Sequence, residues 1–242
     1  MPKQQLDEES RRHFLLAALR AGAFALGASI LPKSAAADAL SKVPHQLPPE
    51  QSIYNLEGEV KINGVIATAT TIVSASDHIE TGKNSRLVFA VGQDAFLLRA
   101  NSDLQLSGDN LVVEGLRLLT GALLSVFGKT EHHFNTPTAT IGIRGTGLYV
   151  ESDPELSYVC TCYGITDLGS VDDPSSTESI VSSRHDAPRY IVADADSGKH
   201  IRKAPFKNHT NLELAIIEAL VGRVLPFPIF DQVEHRYGAS ID

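Results

Sequence analysis

Arg86-Leu87-Val88-Phe89-Ala90-Val91-Gly92-Gln93-Asp94-Ala95-Phe96-Leu97-Leu98 reads as two strands around a turn. Successive strand side chains point to opposite faces, so Leu87, Phe89 and Val91 share one face and Val88 and Ala90 the other. Phe96 and Leu98 repeat the pattern, as do Leu104 and Leu106. Residues 111–119 continue it with a bulge expected at Gly115, and Leu124 and Val126 follow. Ala139, Ile141 and Ile143 share a face, and after them come Leu148 and Val150. Turn residues separate these runs: Asn63-Gly64, Thr81-Gly82, Gly92, Ser107-Gly108-Asp109-Asn110 and Thr120-Gly121. Many short strands at this spacing predict an all-β fold, an antiparallel β-sandwich or jelly-roll-like roll, with a short C-terminal helical extension. The absence of Trp, the single Met and the wealth of Val, Ile, Thr, Leu and Gly in the middle agree with strands.

Working outward, residues 38–53 hold Pro44, Pro48 and Pro49 and read as a linker. Residues 54–168 are the β domain, and residues 169–242 an extension. Residues 169–178 are polar and break the strand pattern, which predicts a loop. Residues 189–192 are another candidate strand. One helix is expected near the end: Thr210 as N-cap with Glu213 three residues on makes a capping box. Leu212, Ala215, Ile216, Ile217 and Leu220 give it an apolar stripe, Gly222 stops it, and Pro226 and Pro228 prevent its continuation.

Residues 1–37 read as an export signal. Ser10-Arg11-Arg12-His13-Phe14-Leu15 has the form of a twin-arginine signal, an apolar Ala/Gly-rich segment covers residues 14–31, and Ala35 and Ala37 fit a small-x-small cleavage site. The alternative is an uncleaved anchor, which would place the chain at a membrane. Arg20 inside the segment opposes it, because a mid-membrane Arg costs roughly 2.5–3.5 kcal/mol on insertion scales. The expected location is the periplasm. The chain carries −8 overall, and five basic and three acidic side chains lie in residues 1–37, so the remainder carries −10. An acidic surface disfavours nucleic acid and anionic membranes as partners.

Thr136-Pro137-Thr138-Ala139-Thr140-Ile141-Gly142-Ile143-Arg144-Gly145-Thr146-Gly147-Leu148-Tyr149-Val150 resembles the signature of the FecR-type domain. Its signature positions here are Thr136, Pro137, Gly142, Arg144, Gly145 and Thr146. Residues 58–64 resemble that family's opening strand, and residues 78–86 its turn, with Ser76 where the family has Gly before Asp77. Asn101-Ser102 and residues 116–127 match in kind and order, so the resemblance covers about residues 54–168. It implies a β-sandwich or jelly-roll module outside the cytoplasmic membrane, used for sensing or for docking another envelope protein in signalling. The family's best-known members relay a signal from an outer-membrane receptor to a sigma factor. Thirteen residues precede Phe14 in this sequence, so a cytoplasmic helical domain for direct sigma-factor regulation is not expected.

One constellation carries chemistry. In a strand, Tyr158, Cys160 and Cys162 share a face, and two thiols at that spacing can ligate one soft metal. His185 is the expected third ligand, with Asp186 or His200 as a fourth, and His132-His133 is a second candidate. The bland alternatives are buried core cysteines or a strained disulfide. No Gly-x-Ser-x-Gly, P-loop, Rossmann or His-Glu-x-x-His motif is present, so no enzyme and no organic cofactor is expected. A transition metal is the one candidate cofactor.

Overall fold

The computed structural model describes residues 46–195 and 198–229. The proposed leader, the first half of the linker and the tail beyond Ile229 lie outside them. Among the described residues fourteen strands precede one helix: β1 (Ile53–Glu57), β2 (Val60–Ile62), β3 (Val65–Ile66), β4 (His78–Thr81), β5 (Arg86–Val91), β6 (Asp94–Leu98), β7 (Asp103–Asp109), β8 (Val112–Val126), β9 (Glu131–Asn135), β10 (Ala139–Ser152), β11 (Leu156–Ser170), β12 (Thr177–Ser182), β13 (Arg189–Val192), β14 (Ile201–Lys203) and α1 (Asn211–Leu220). The fold is all-β, as the alternation predicts.

Three strands are long rather than short. β8, β10 and β11 run 15, 14 and 15 residues. Each changes partners midway and so belongs to two leaves. The first half of β10 pairs with β9 and with the end of β11, and its second half pairs with the end of β8 and the start of β11. One leaf is β12-β11-β10-β9-β8-β7-β4-β2-β3, and the other is β14-β13-β11-β10-β8-β6-β5-β1. All pairings are antiparallel except that of β8 with β9. The switch in β10 and β11 falls at Gly145 (φ +57°) and Gly164 (φ +92°). A Cβ on Gly164 would lie 2.8 Å from the Gly145 carbonyl oxygen, so the two strands meet there on bare backbone. The bulge in β8 is at Glu114, beside Gly115, where Ser107 faces Gly115 and Gly108 faces Val113.

Between the leaves lies one apolar cluster, with Leu87, Phe89, Phe96 and Leu148 from the second leaf and Ile79, Leu104, Phe134 and Ile141 from the first. The second leaf is apolar on its other face too: Val88, Leu97, Leu124, Tyr149, Tyr158, Cys160 and Cys162 point away from the first cluster into a second one. α1 and the chain around it cover that face with Leu212, Leu214, Ile216, Ile217 and Leu220. Fully buried strands read as near-continuous apolar runs, which accounts for Leu87-Val88-Phe89 and Ala95-Phe96-Leu97-Leu98.

The expected capping box is present: Thr210 Oγ1 accepts from the Glu213 N–H at 3.2 Å, and Glu213 Oε2 accepts from the Thr210 N–H at 2.9 Å. At the other end Gly222 (φ +72°) donates to the Ala219 carbonyl at 3.1 Å and Arg223 to the Glu218 carbonyl at 2.9 Å, closing a Schellman turn. Leu47, in the expected linker, donates its N–H to the Leu220 carbonyl at 2.9 Å. The expected loop 169–178 is shorter than its polarity suggests. β11 runs to Ser170 and β12 begins at Thr177. β12 is an edge strand that buries little beyond Ile180 and Ser182, so its polar residues face water while its backbone pairs with β11. Among the described residues no helix is long and apolar enough to cross a membrane.

Candidate metal centre

Cys160 and Cys162 lie on the outer face of the second leaf, two residues apart in β11, with Val159 and Thr161 turned the other way. Both thiols are free and buried. His185 follows β12 in a turn built by Asp186, whose carboxylate accepts from the Ser183 N–H at 2.7 Å, the Arg184 N–H at 3.1 Å and the Ser183 hydroxyl at 3.0 Å. The turn holds His185 at φ +49°, and its N–H donates to the Cys162 carbonyl at 2.9 Å. A left-handed backbone is costly for a residue with a Cβ, and such residues collect at functional sites.

The fourth group is His209, which the sequence reading missed. It stands two residues before α1, after Asn208 (φ +61°). Asn208 is pinned by its side-chain amide to Glu151 at 2.6 Å and by its carbonyl to Arg99 at 2.7 Å. No spacing rule links positions 162, 185 and 209; only the docking of α1 on the leaf brings His209 to the cysteines. The other expected fourth ligands are elsewhere. Asp186 is consumed by its turn, and His200 lies against the Val192 carbonyl at 3.0 Å. His132 and His133 point to opposite faces of β9, and His132 pairs with Asp94 at 3.1 Å.

The four donor atoms of Cys160, Cys162, His185 and His209 all lie within 4.8 Å of one another. Cys160 Sγ is 3.6 Å from His185 Nδ1, Cys162 Sγ is 3.4 Å from His209 Nε2, and the two ring nitrogens are 3.2 Å apart. With Zn–S near 2.3 Å and Zn–N near 2.0–2.1 Å, a tetrahedral ion sets S···N edges of about 3.5 Å and an N···N edge of about 3.3 Å. The two S···N contacts and the N···N contact given above stand at almost those separations.

The outward ring nitrogens fix the tautomers. His209 Nδ1 lies 2.8 Å from the Lys207 carbonyl, which can only accept, so that nitrogen carries the proton. His185 Nε2 lies 2.9 Å from Asn211 Oδ1, and the Asn211 amide NH₂ donates to the Ile229 carbonyl at 3.3 Å, which sets the amide's orientation. His185 therefore also donates outward. The inward nitrogens, His185 Nδ1 and His209 Nε2, face each other and the two thiols, an arrangement a cation satisfies. Ligating histidines that donate their second N–H to an oxygen are the usual outer shell of a metal site.

Burial alone would push the Cys160 thiol up, but the neighbouring Cys162 and the His209 and His185 rings outweigh it and hold it well below its ordinary value. Burial and the charge on Cys160 push Cys162 well above. The pair thus gives up one proton readily and keeps the second. A divalent cation would stabilise both thiolates and leave a buried centre with no net charge, avoiding the cost of an unpaired buried ion. Aromatic rings wall the site: Tyr149 stacks on His209 at 4.4 Å, Phe206 lies 4.6 Å from each imidazole, and Phe227 lies 5.7 Å from His185. Four protein donors and a ring of aromatics describe a closed site, with no open position for substrate.

The signature residues lie apart from this centre. Thr136 and Thr138 are buried and bond Ser157 Oγ at 2.7 Å each. Thr146 donates to the Ile165 carbonyl at 3.0 Å across the strand switch. Arg144 is exposed and meets Asp167 at 3.3 Å and Glu131 at 3.7 Å. Gly142 and Gly145 lie in β10, and Pro137 precedes it. These positions build the leaf crossing.

No family model matches the chain, and no curated protein matches it. Two crystal structures of a "putative anti-sigma factor" from Parabacteroides distasonis ATCC 8503, at 1.65 and 2.50 Å, are similar to it in fold. Each is 12% identical, with a TM-score of 0.43 over 52% of this chain, and the chain spans 58% of theirs. A likeness that distant carries no argument about function.

Proposed function

We propose that this chain is an exported, non-catalytic binding protein whose outer layer is built on one transition-metal ion, zinc fitting best, held by Cys160, Cys162, His185 and His209. The observation that carries the reading is the convergence of two buried thiols and two buried imidazoles, their donor atoms all within 4.8 Å of one another. Zinc suits the donor set because two thiolates and two neutral imidazoles balance its charge and match its tetrahedral preference. The wider role is sensing or docking of another envelope protein, in keeping with the resemblance of residues 136–150 to the FecR-type signature.

The test is metal content. Protein purified under reducing conditions should hold one zinc per chain by mass spectrometry. Cys160→Ser and His209→Ala should lose it and melt at a lower temperature, while His200→Ala should keep both metal and stability. A wild-type protein that takes up no zinc, or a His209→Ala variant that binds it as before, overturns the reading.

A further inference from the structure

We infer that the metal centre is a latch for the outer layer, residues 204–229, so that metal occupancy decides whether α1 stays docked on the second leaf; this rests on the metal reading above.

The ligands come from three places in the chain. Two belong to the leaf itself, one to the turn after β12, and one to the segment that leads into α1. His209 alone among them belongs to the outer layer. The inner core between the leaves contains none of the four, whereas the outer cluster contains both cysteines and the buried face of α1. The two clusters are separated by the second leaf, so the inner one has no need of the ion.

Among the described residues the outer layer makes no strand pairing after β14, so burial and side-chain ties hold it. α1 has ten residues, below the length at which a helix is stable without tertiary contacts. Eight of its ten residues are buried, against the leaf and against the chain on either side of it. The chain before it is irregular and is tied through side chains, as where Asn208 meets Glu151 and Arg99. The Tyr158 hydroxyl donates to the Pro205 carbonyl at 3.0 Å, Lys207 pairs with Glu151 at 2.7 Å, and Arg99 reaches Glu213 at 3.0 Å. Binding at four points fixes the entry to α1 and closes residues 186–208 into a loop, which removes the freedom that undocking would gain. Without the ion, only weak thiol–imidazole and ring–ring hydrogen bonds are left in the centre to hold His209 to the leaf. His209 cannot leave without drawing Thr210, the N-cap of α1, with it.

The test is hydrogen exchange on the full exported chain in reducing buffer, with zinc bound and after its removal by a chelator. Peptides covering residues 205–220 should exchange at least tenfold faster without zinc. Peptides from β5, β6 and β10 should be unchanged, and added zinc should restore the protection. Coupling between sites is reciprocal, so loosening α1 must weaken zinc. Ile217→Ala removes no ligand and should lower zinc affinity at least tenfold, while Ile141→Val in the inner core should leave it within threefold. Equal protection of α1 in both states, or wild-type zinc affinity in Ile217→Ala, defeats the latch and leaves the metal centre standing. Loss of protection in all strands together also defeats it, since the layer would then not be separate. A protein that takes up no zinc defeats both, and that result is visible before any exchange is measured.

Discussion

Gly145 and Arg144 sit side by side in the run that resembles a family signature, and their burdens differ. Arg144 is 60% exposed, and its two carboxylate partners are exposed as well. Exposed ion pairs contribute about 0–1 kcal/mol, so Arg144→Ala should change stability by no more than that. Gly145 lies at φ +57° where β10 passes between leaves, and a Cβ there would lie 3.8 Å from the Gly128 carbonyl oxygen, an ordinary contact. An alanine there clashes with nothing but must take a left-handed backbone, at a cost of roughly 1–2 kcal/mol. Chemical denaturation of Gly145→Ala and Arg144→Ala should therefore rank the glycine as the more damaging change, and a larger loss at Arg144 would show that it holds more than the surface pairs seen. His185 obeys the same backbone rule in reverse: it occupies a left-handed position although it has a Cβ, because its ring is needed against Cys160.

At the level of elements, β5 and β6 were legible in the sequence because apolar residues mark both of their faces, and the first half of β10 because Ala139, Ile141 and Ile143 alternate with exposed or half-buried residues. β12 was not, since an edge strand buries one row at most and its other residues look like those of a loop. Its attachment can be tested through Arg189, which reaches Glu178 at 2.5 Å and ties β12 to β13. Hydrogen bonding from the Arg189 guanidinium holds the Glu178 carboxyl below its ordinary 4.5. A depressed folded value means that the pair's contribution is fully present above pH 4.5 and is lost as pH falls through the folded value. Glu178 is partly exposed, so that contribution is about 1 kcal/mol or less. Urea denaturation should find Glu178→Gln less stable than the parent at pH 7, with the two converging in acid. A constant difference across the range would mean that the variant acts through packing.

For the whole molecule, the centre raises the question of where the metal is loaded. Buried thiols exposed in an oxidising compartment before folding would be at risk of oxidation, whereas thiols that meet zinc in the reducing cytoplasm would be protected. Export of a folded chain by the twin-arginine route would preserve such a centre. Replacing Arg11 and Arg12 together by Lys should keep the protein in the cytoplasm, as read by cell fractionation. Unchanged export of that variant would mean that the apolar segment of residues 14–31 serves another route.

The sequence by itself determined the all-β class, the strands whose two faces are both apolar, the capped helix from Asn211 to Leu220, and the placing of both cysteines on one face of a strand. Those features depend on neighbours within a few residues, where a period of two or of 3.6 leaves a readable pattern. Tertiary structure alone decided that β8, β10 and β11 each serve two leaves, that α1 covers the second leaf, and that His209 completes the set begun by Cys160, Cys162 and His185. The donors of that set are separated by 23 residues from Cys162 to His185 and by 24 from His185 to His209, across a hairpin, an edge and an irregular segment. No local periodicity constrains such a path. It is set by which apolar face the helix must cover, and that follows from the packing of the whole chain.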